Sequence, residues 1–212
     1  MNSPPNPSET GRFRIALTVD AEFGSLPANG SNQTGLLRIL AERAVRATFF
    51  VQGRWAGAYP DVTRRIRDDG HLIGNHSYYH TPANLLTADG LRSTVDRAQS
   101  VIMAVAGVDS RPWFRCPYGA GADESAVLAL LGELGYRDVG WDVEPKDWLD
   151  NRGSDWADTV VEAVVGGCLR HGDGVRVLLH SWPDVTVAAM PRILSRLSAT
   201  DAEFVSVDEL GA

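Results

Sequence analysis

The sequence carries no excess of basic residues: 20 Lys and Arg stand against 27 Asp and Glu, a formal net charge of -7. No run of Lys or Arg offsets that balance, which argues against a nucleic-acid or anionic-membrane partner. Cysteine is scarce. Cys116 and Cys168 form no C-x-x-C pair and stand among apolar residues, so they read as buried free thiols rather than a disulfide framework. No stretch approaches the roughly 20 apolar residues that span a bilayer. Met1 to Gly11 is rich in Pro, Ser and Asn and lacks both the basic and the apolar region of a secretory leader. Residues 1–12 therefore read as a disordered lead-in to a single domain over 13–212, in a chain expected to be cytoplasmic. Internal repeats, a G-x-G-x-x-G turn and a P-loop are absent as well.

What is present is an alternation of strand-like and helix-like segments. Arg14 to Asp20, Ala47 to Val51, His71 to Asn75, Trp113 to Cys116, Arg137 to Val143, Val175 to His180 and Glu203 to Val207 read as strands. Between them lie helical patterns, the first capped by Asn32 or Thr34 and running to about Val45. Others cover Pro60 to Asp69, Ser125 to Leu134, Ser154 to Leu169 and Thr186 to Leu197. The longest is capped by Thr87 and closed by Gly107, with Leu91, Val95, Ala98 and Ile102 on one face. Seven strands and about six helices in this order imply a parallel sheet with right-handed crossovers.

Polar residues decide between a doubly wound sheet and a barrel. Asp20, His76, Arg115, Asp147 and His180 fall at or just past the ends of successive strands. In a (β/α) barrel those ends converge on one face. The expected fold is an α/β, irregular, incomplete (β/α)7 barrel, a distorted relative of the TIM barrel. His76 and His80 share a face if the backbone between them is helical, and such a pair suits one metal ion. Arg115, set in Trp-Phe-Arg-Cys-Pro-Tyr, is expected to be buried against a carboxylate.

Five ordered segments carry a resemblance. Thr18-Val19-Asp20-Ala21-Glu22, His76-Ser77-Tyr78-Tyr79-His80, Arg115-Cys116-Pro117-Tyr118, Glu144-Pro145-Lys146-Asp147-Trp148 and Leu178-Leu179-His180 resemble the motifs T-F-D-D, H-[ST]-x-x-H, R-x-P-Y, D-x-x-D-W and L-x-H. These belong to the polysaccharide deacetylases of the NodB-homology type, carbohydrate esterase family 4. The resemblance runs from about Arg14 to Leu210.

It implies a hydrolase removing the acetyl group from an N-acetylated amino sugar or sugar-containing metabolite, small or oligomeric. It also implies a divalent metal, zinc in most members, with Co2+, Ni2+ or Mn2+ as substitutes. His76 and His80 would be ligands, Asp20 the base that deprotonates water, and Arg115 the cation that keeps Asp20 charged. The Tyr118 amide would meet the oxyanion, and His180, oriented by Asp147, would protonate the leaving amine. Trp148 and Leu178 would wall a slot for the acetyl methyl. The family's second Asp is Ala21 here, which leaves Glu22 as the expected third ligand, with direct ligation by Asp20 as the alternative. That change opens two further readings: the same fold cleaving a small cyclic amide, imide or ureide, or a carbohydrate-binding pseudoenzyme without metal. Nothing in the sequence speaks to the oligomeric state.

Overall fold

The computed structural model describes residues 13–23, 30–149 and 153–211; residues 1–12, read above as a lead-in, lie outside them. The strands are β1 (Phe13–Ala21), β2 (Thr48–Val51), β3 (Leu72–Asn75), β4 (Trp113–Phe114), β5 (Arg137–Asp138), β6 (Val175–His180) and β7 (Ala202–Val205). Every pairing is parallel, in the order β5-β4-β3-β2-β1-β6, with β7 beside the first half of β1. The helices are α1 (Gly30–Glu42), α2 (Gly53–Ala58), α3 (Pro60–Asp68), α4 (Ala88–Ala106), α5 (Ser125–Glu133), α6 (Trp156–His171) and α7 (Asp184–Ser198). The circle is completed between β5 and β6 by one isolated bridge, Val143 to Val177. This is the incomplete barrel expected from the strand-end pattern.

Register explains why the polar residues meet. Asp20 is level with Phe50 on β2 and with His180 on β6. Val51 is level with Asn75, and Asn75 with Phe114, so His76 and Arg115 each follow one residue above the same row. Parallel strands all finish on one side of a sheet, and the rows finish together here.

The main core lies between the sheet and its helices, with Leu17, Val19, Phe49, Val161, Leu179 and Ile193 buried in it. A smaller cluster, Ala16, Phe50, Trp113, Val139 and Val207, fills the barrel interior. Gly74 is required there, because a Cβ would stand 2.7 Å from the Phe50 ring. A turn at Val207–Leu210 follows β7, with Ser206 and Glu209 forming a capping box at its start.

Three sequence expectations need correction, and one helix was not expected. β4 and β5 are two residues each, not runs to Cys116 and Val143, because the chain leaves the sheet and returns only at the Val143 bridge. Helix α2 carries two glycines and no side-chain cap, so no propensity signal marked it. Its Gly53 packs where a Cβ would meet the Ala98 backbone at 2.8 Å. Asn32 sits inside α1 and donates to the Trp182 carbonyl at 3.0 Å instead of capping the helix. The last helix begins at Asp184, so Thr186 lies within its first turn. The Thr87 cap and the Gly107 stop are where the pattern placed them, Gly107 in the left-handed region at φ 68°.

His71, just before β3, is buried beside Phe49, and its Nδ1 accepts the Ala47 N–H at 3.1 Å. Burial pulls its pKa down from 6.5 to about 4, with Arg46 and Arg65 adding to the fall and Asp69 opposing it. The unfolded chain therefore binds the proton first, and stability present above pH 6.5 is lost as pH falls toward 4. The expected loss from this group is about 2 kcal/mol between pH 8 and pH 5. Urea unfolding of the native protein and of His71→Gln checks it: the pH dependence of the variant should be flatter by that amount.

Candidate active site

β1 delivers two carboxylates to one place. Side chains alternate along a strand, so Asp20 and Glu22 share a side while Ala21 turns the other way into the core. The position where a second Asp stands in T-F-D-D is thus a core position in this chain, and Glu22 recovers the lost carboxylate one residue later. Asp20 and Glu22 are both buried.

Arg115 is buried to 1% exposure and every arm of its guanidinium is answered. Nη1 donates to Asp20 Oδ1 at 2.9 Å, Nε to the Val139 carbonyl at 2.9 Å and Nη2 to the Gly140 carbonyl at 3.2 Å. The guanidinium lies over the Phe50 ring, 4.1 Å from its centroid. The anion expected for this Arg is Asp20.

His76 and His80 converge, although not through a helix. Ser77 and His80 take left-handed φ values of 59° and 61°, which turn the loop so that the two Nε2 atoms are 3.0 Å apart. Hydrogen bonds hold the turn: Ser77 N–H donates to Asn75 Oδ1 at 2.8 Å, and His80 N–H to Ser77 Oγ at 3.1 Å. His76 Nδ1 lies 2.9 Å from the Arg115 carbonyl. A carbonyl only accepts, so Nδ1 carries the proton and Nε2 keeps its lone pair in the neutral ring.

Glu22 Oε2 is 2.6 Å from His80 Nε2 and 3.5 Å from His76 Nε2, yet it is buried without a hydrogen bond. Burial alone pushes the Glu22 pKa up, but the two imidazoles hold it well below the usual carboxylate range. Burial lowers the His76 pKa, and Asp20 and Glu22 outweigh it and raise it. The three donor atoms lie within 4.8 Å of one another, the one such group among the described residues. Ligands at about 2.0 Å from a tetrahedral centre stand about 3.3 Å apart, so this donor set fits a divalent cation. Asp20 Oδ2 is 3.4 Å from His76 Nε2, but its other oxygen is committed to Arg115.

Opposite stands His180, with Nδ1–H donating to Asp147 Oδ1 and its amide to Asp147 Oδ2, both at 2.8 Å. Thr186 Oγ1 also donates to Oδ2, at 2.6 Å. Burial lowers the His180 pKa, but Asp147, with Asp20 and Glu22, lifts it to about 9. Its Nε2 lies 4.0 Å from Glu22 Oε1.

Asp20, Glu22, His80 and His180 edge a cavity of about 500 Å3 that Trp148, Leu178 and Tyr118 also line, and His76, Arg115 and Asp147 stand behind it against those residues. Tyr118 has φ 59°, and its ring packs on His80 with centroids 4.4 Å apart. Trp148 Nε1 donates to Glu144 Oε1 at 2.9 Å. All ten residues singled out in the sequence therefore lie in or directly behind one cavity. Phe23, Trp141 and Trp182 line it too, unmarked by any spacing, and Thr186 was read only as a helix start.

Removing one partner of a buried, hydrogen-bonded ion pair is costly. Arg115→Met should lose about 3–5 kcal/mol in urea unfolding, against about 1 kcal/mol for an exposed Arg such as Arg92.

The polysaccharide deacetylase family pattern matches residues 8–139. A chitooligosaccharide deacetylase of Azorhizobium caulinodans is 31% identical over 152 residues, 72% of this chain and 68% of that protein. The peptidoglycan-N-acetylmuramic acid deacetylase of Bacillus subtilis is 29% identical over 178 residues, 82% of this chain and 64% of that protein. Among solved structures, a family 4 carbohydrate esterase from Streptomyces lividans in complex with acetate superposes with a TM-score of 0.75 at 32% identity, covering 90% of each chain. A structure described as T48 deacetylase with substrate gives 0.79 at 30%, covering 94% of this chain and 90% of the other. Five motifs in order, an incomplete barrel and these matches lead to one conclusion: the chain belongs to the polysaccharide deacetylase family, hydrolases of carbon–nitrogen bonds other than peptide bonds.

Proposed function

We propose that this protein removes the acetyl group from an N-acetylated amino sugar, as a metal-dependent amide hydrolase. The observation that carries the reading is the grouping of Glu22 with His76 and His80 beside a cavity that Glu22, His80, Asp20 and His180 line. His76, His80 and Glu22 would hold the cation, two nitrogens and one oxygen, a catalytic rather than a structural donor set. A divalent cation there supplies Lewis acidity to the acetyl carbonyl and to a water molecule.

The chain's own residues do the rest. Asp20, fixed by Arg115 through one oxygen, offers the other to take the proton from the attacking water. The Tyr118 amide, at the left-handed turn after Pro117, would donate to the developing oxyanion. His180, charged at neutral pH beside Asp147, gives its Nε2 proton to the departing nitrogen. Trp148 and Leu178 form apolar wall that suits a methyl and crowds longer acyl chains. The relatives named above are a chitooligosaccharide and a peptidoglycan deacetylase, so a chain of N-acetylated amino sugars is the substrate class we infer.

Two measurements test this. With zinc or cobalt added, the purified protein should release acetate from N-acetylglucosamine oligomers or from peptidoglycan fragments. No release from any N-acetyl sugar with the cation bound would sink the reading, and ring-opening of a cyclic ureide without acetate release would favour the cyclic-amide alternative. Separately, Glu22→Ala should bind zinc more than about 100-fold more weakly in competition with a chromophoric chelator. Equal affinity in native and variant protein would remove Glu22 from the ligand set, and no zinc binding by the native protein would favour the pseudoenzyme.

A further inference from the structure

Among the described residues Asp147 receives three hydrogen bonds, two of them from His180. The third is the Thr186 hydroxyl on the first turn of α7, 2.6 Å from Oδ2. Thr186 is completely buried, so no solvent competes for that hydroxyl. A threonine in a helix ordinarily returns its O–H to a nearby backbone carbonyl, as Thr63 and Thr159 do in this chain. Thr186 reaches 39 residues back in sequence instead.

We propose that Thr186 is a positioning residue for proton donation by His180, acting through Asp147. The proposal rests on the N-deacetylase reading above. Oδ2 is pinned from two elements at once, by the Thr186 hydroxyl on α7 and by the His180 amide on β6. Rotation of the carboxylate is thereby blocked, and Oδ1 is left facing His180 Nδ1–H. That fixes the ring plane and keeps Nε2 on the cavity side, 4.0 Å from Glu22 Oε1.

The step served is the collapse of the tetrahedral adduct. The C–N bond breaks, its electron pair goes to nitrogen, and nitrogen takes the Nε2 proton. Acetate and a free amine form, and His180 is left neutral with its Nδ1–H still donating to Asp147. A carboxylate free to turn would release Nδ1–H and let the ring leave the leaving group's line. Only a leaving group that needs a proton would register that loss.

The experiment compares native protein with Thr186→Val, which keeps the side-chain shape, and Thr186→Ser, which keeps the hydroxyl. Each is assayed on an N-acetylglucosamine oligomer, whose amine needs the proton, and on 4-nitrophenyl acetate, whose phenolate does not. For Thr186→Val the ratio of amide to ester kcat should fall about tenfold, with the loss in kcat rather than KM, and Ser should restore it. A ratio equal to the native one overturns the proposal, because a merely structural role would lower both substrates together. The proton NMR signal of His180 Nδ1–H gives a second readout without turnover. It should hold its far-downfield position in native and Ser proteins and move upfield in the Val variant. Identical spectra in all three overturn the proposal even if the native protein releases no acetate, an outcome that by itself would count against the deacetylase reading alone.

Discussion

A guanidinium sealed from water needs a partner at each of its nitrogens, and Arg115 meets that demand with groups from three parts of the chain. Its side chain binds Asp20 on β1 and the carbonyls of Val139 and Gly140 where the chain leaves β5, and it rests on Phe50 in the barrel interior. Its backbone carbonyl accepts the hydrogen bond of His76 Nδ1–H. One residue thus orients the proposed base with its side chain and a proposed metal ligand with its main chain. An isolated buried charge would cost many kcal/mol. Satisfying it therefore ties the barrel's packing to the site's geometry, and Gly74, which leaves room for Phe50, belongs to the same assembly.

The strand ends were legible in the sequence for a physical reason. Strands buried on both faces show as largely apolar runs, so the first ionisable residue after each run marks where a strand reaches the open face. Asp20, His76, Arg115 and His180 all follow that rule. The period of two along β1 also accounts for Ala21 and Glu22 without further assumption, because an acid two positions from Asp20 returns to its side. The tools that failed were those needing partners distant in sequence. Nothing near Arg115 announces the Val139 and Gly140 carbonyls, and nothing near Thr186 announces Asp147.

The histidine pair shows how right spacing can be explained by the wrong backbone. Four-residue spacing suits a helix, but the segment after β3 is a loop with two non-glycine residues in the left-handed region. Such residues cost roughly 1–3 kcal/mol each and persist where surrounding contacts over-determine them. Asn75 at the end of β3 and Ser77 within the loop supply those contacts, and Thr94 Oγ1 adds one from α4 by accepting the Tyr78 amide at 3.0 Å. The convergence of the two rings is a property of this hydrogen-bonded turn. A helical periodicity argument reaches the correct residues only because both geometries bring positions four apart together.

The bridge from Val143 to Val177 closes the barrel at a single point, and the segment bearing Glu144, Asp147 and Trp148 leaves the sheet directly after it. This side of the cavity is therefore wall without ladder. Insertions or exchanges in it alter no strand pairing beyond that bridge, whereas the opposite wall is built from β1 and β3 and cannot change without disturbing the sheet. The cavity thus has one wall fixed by strand pairing and another fixed by side-chain hydrogen bonds. Divergence among such proteins would then accumulate on the β5–β6 side, with Asp147 retained there by its hydrogen bonds to His180 and Thr186.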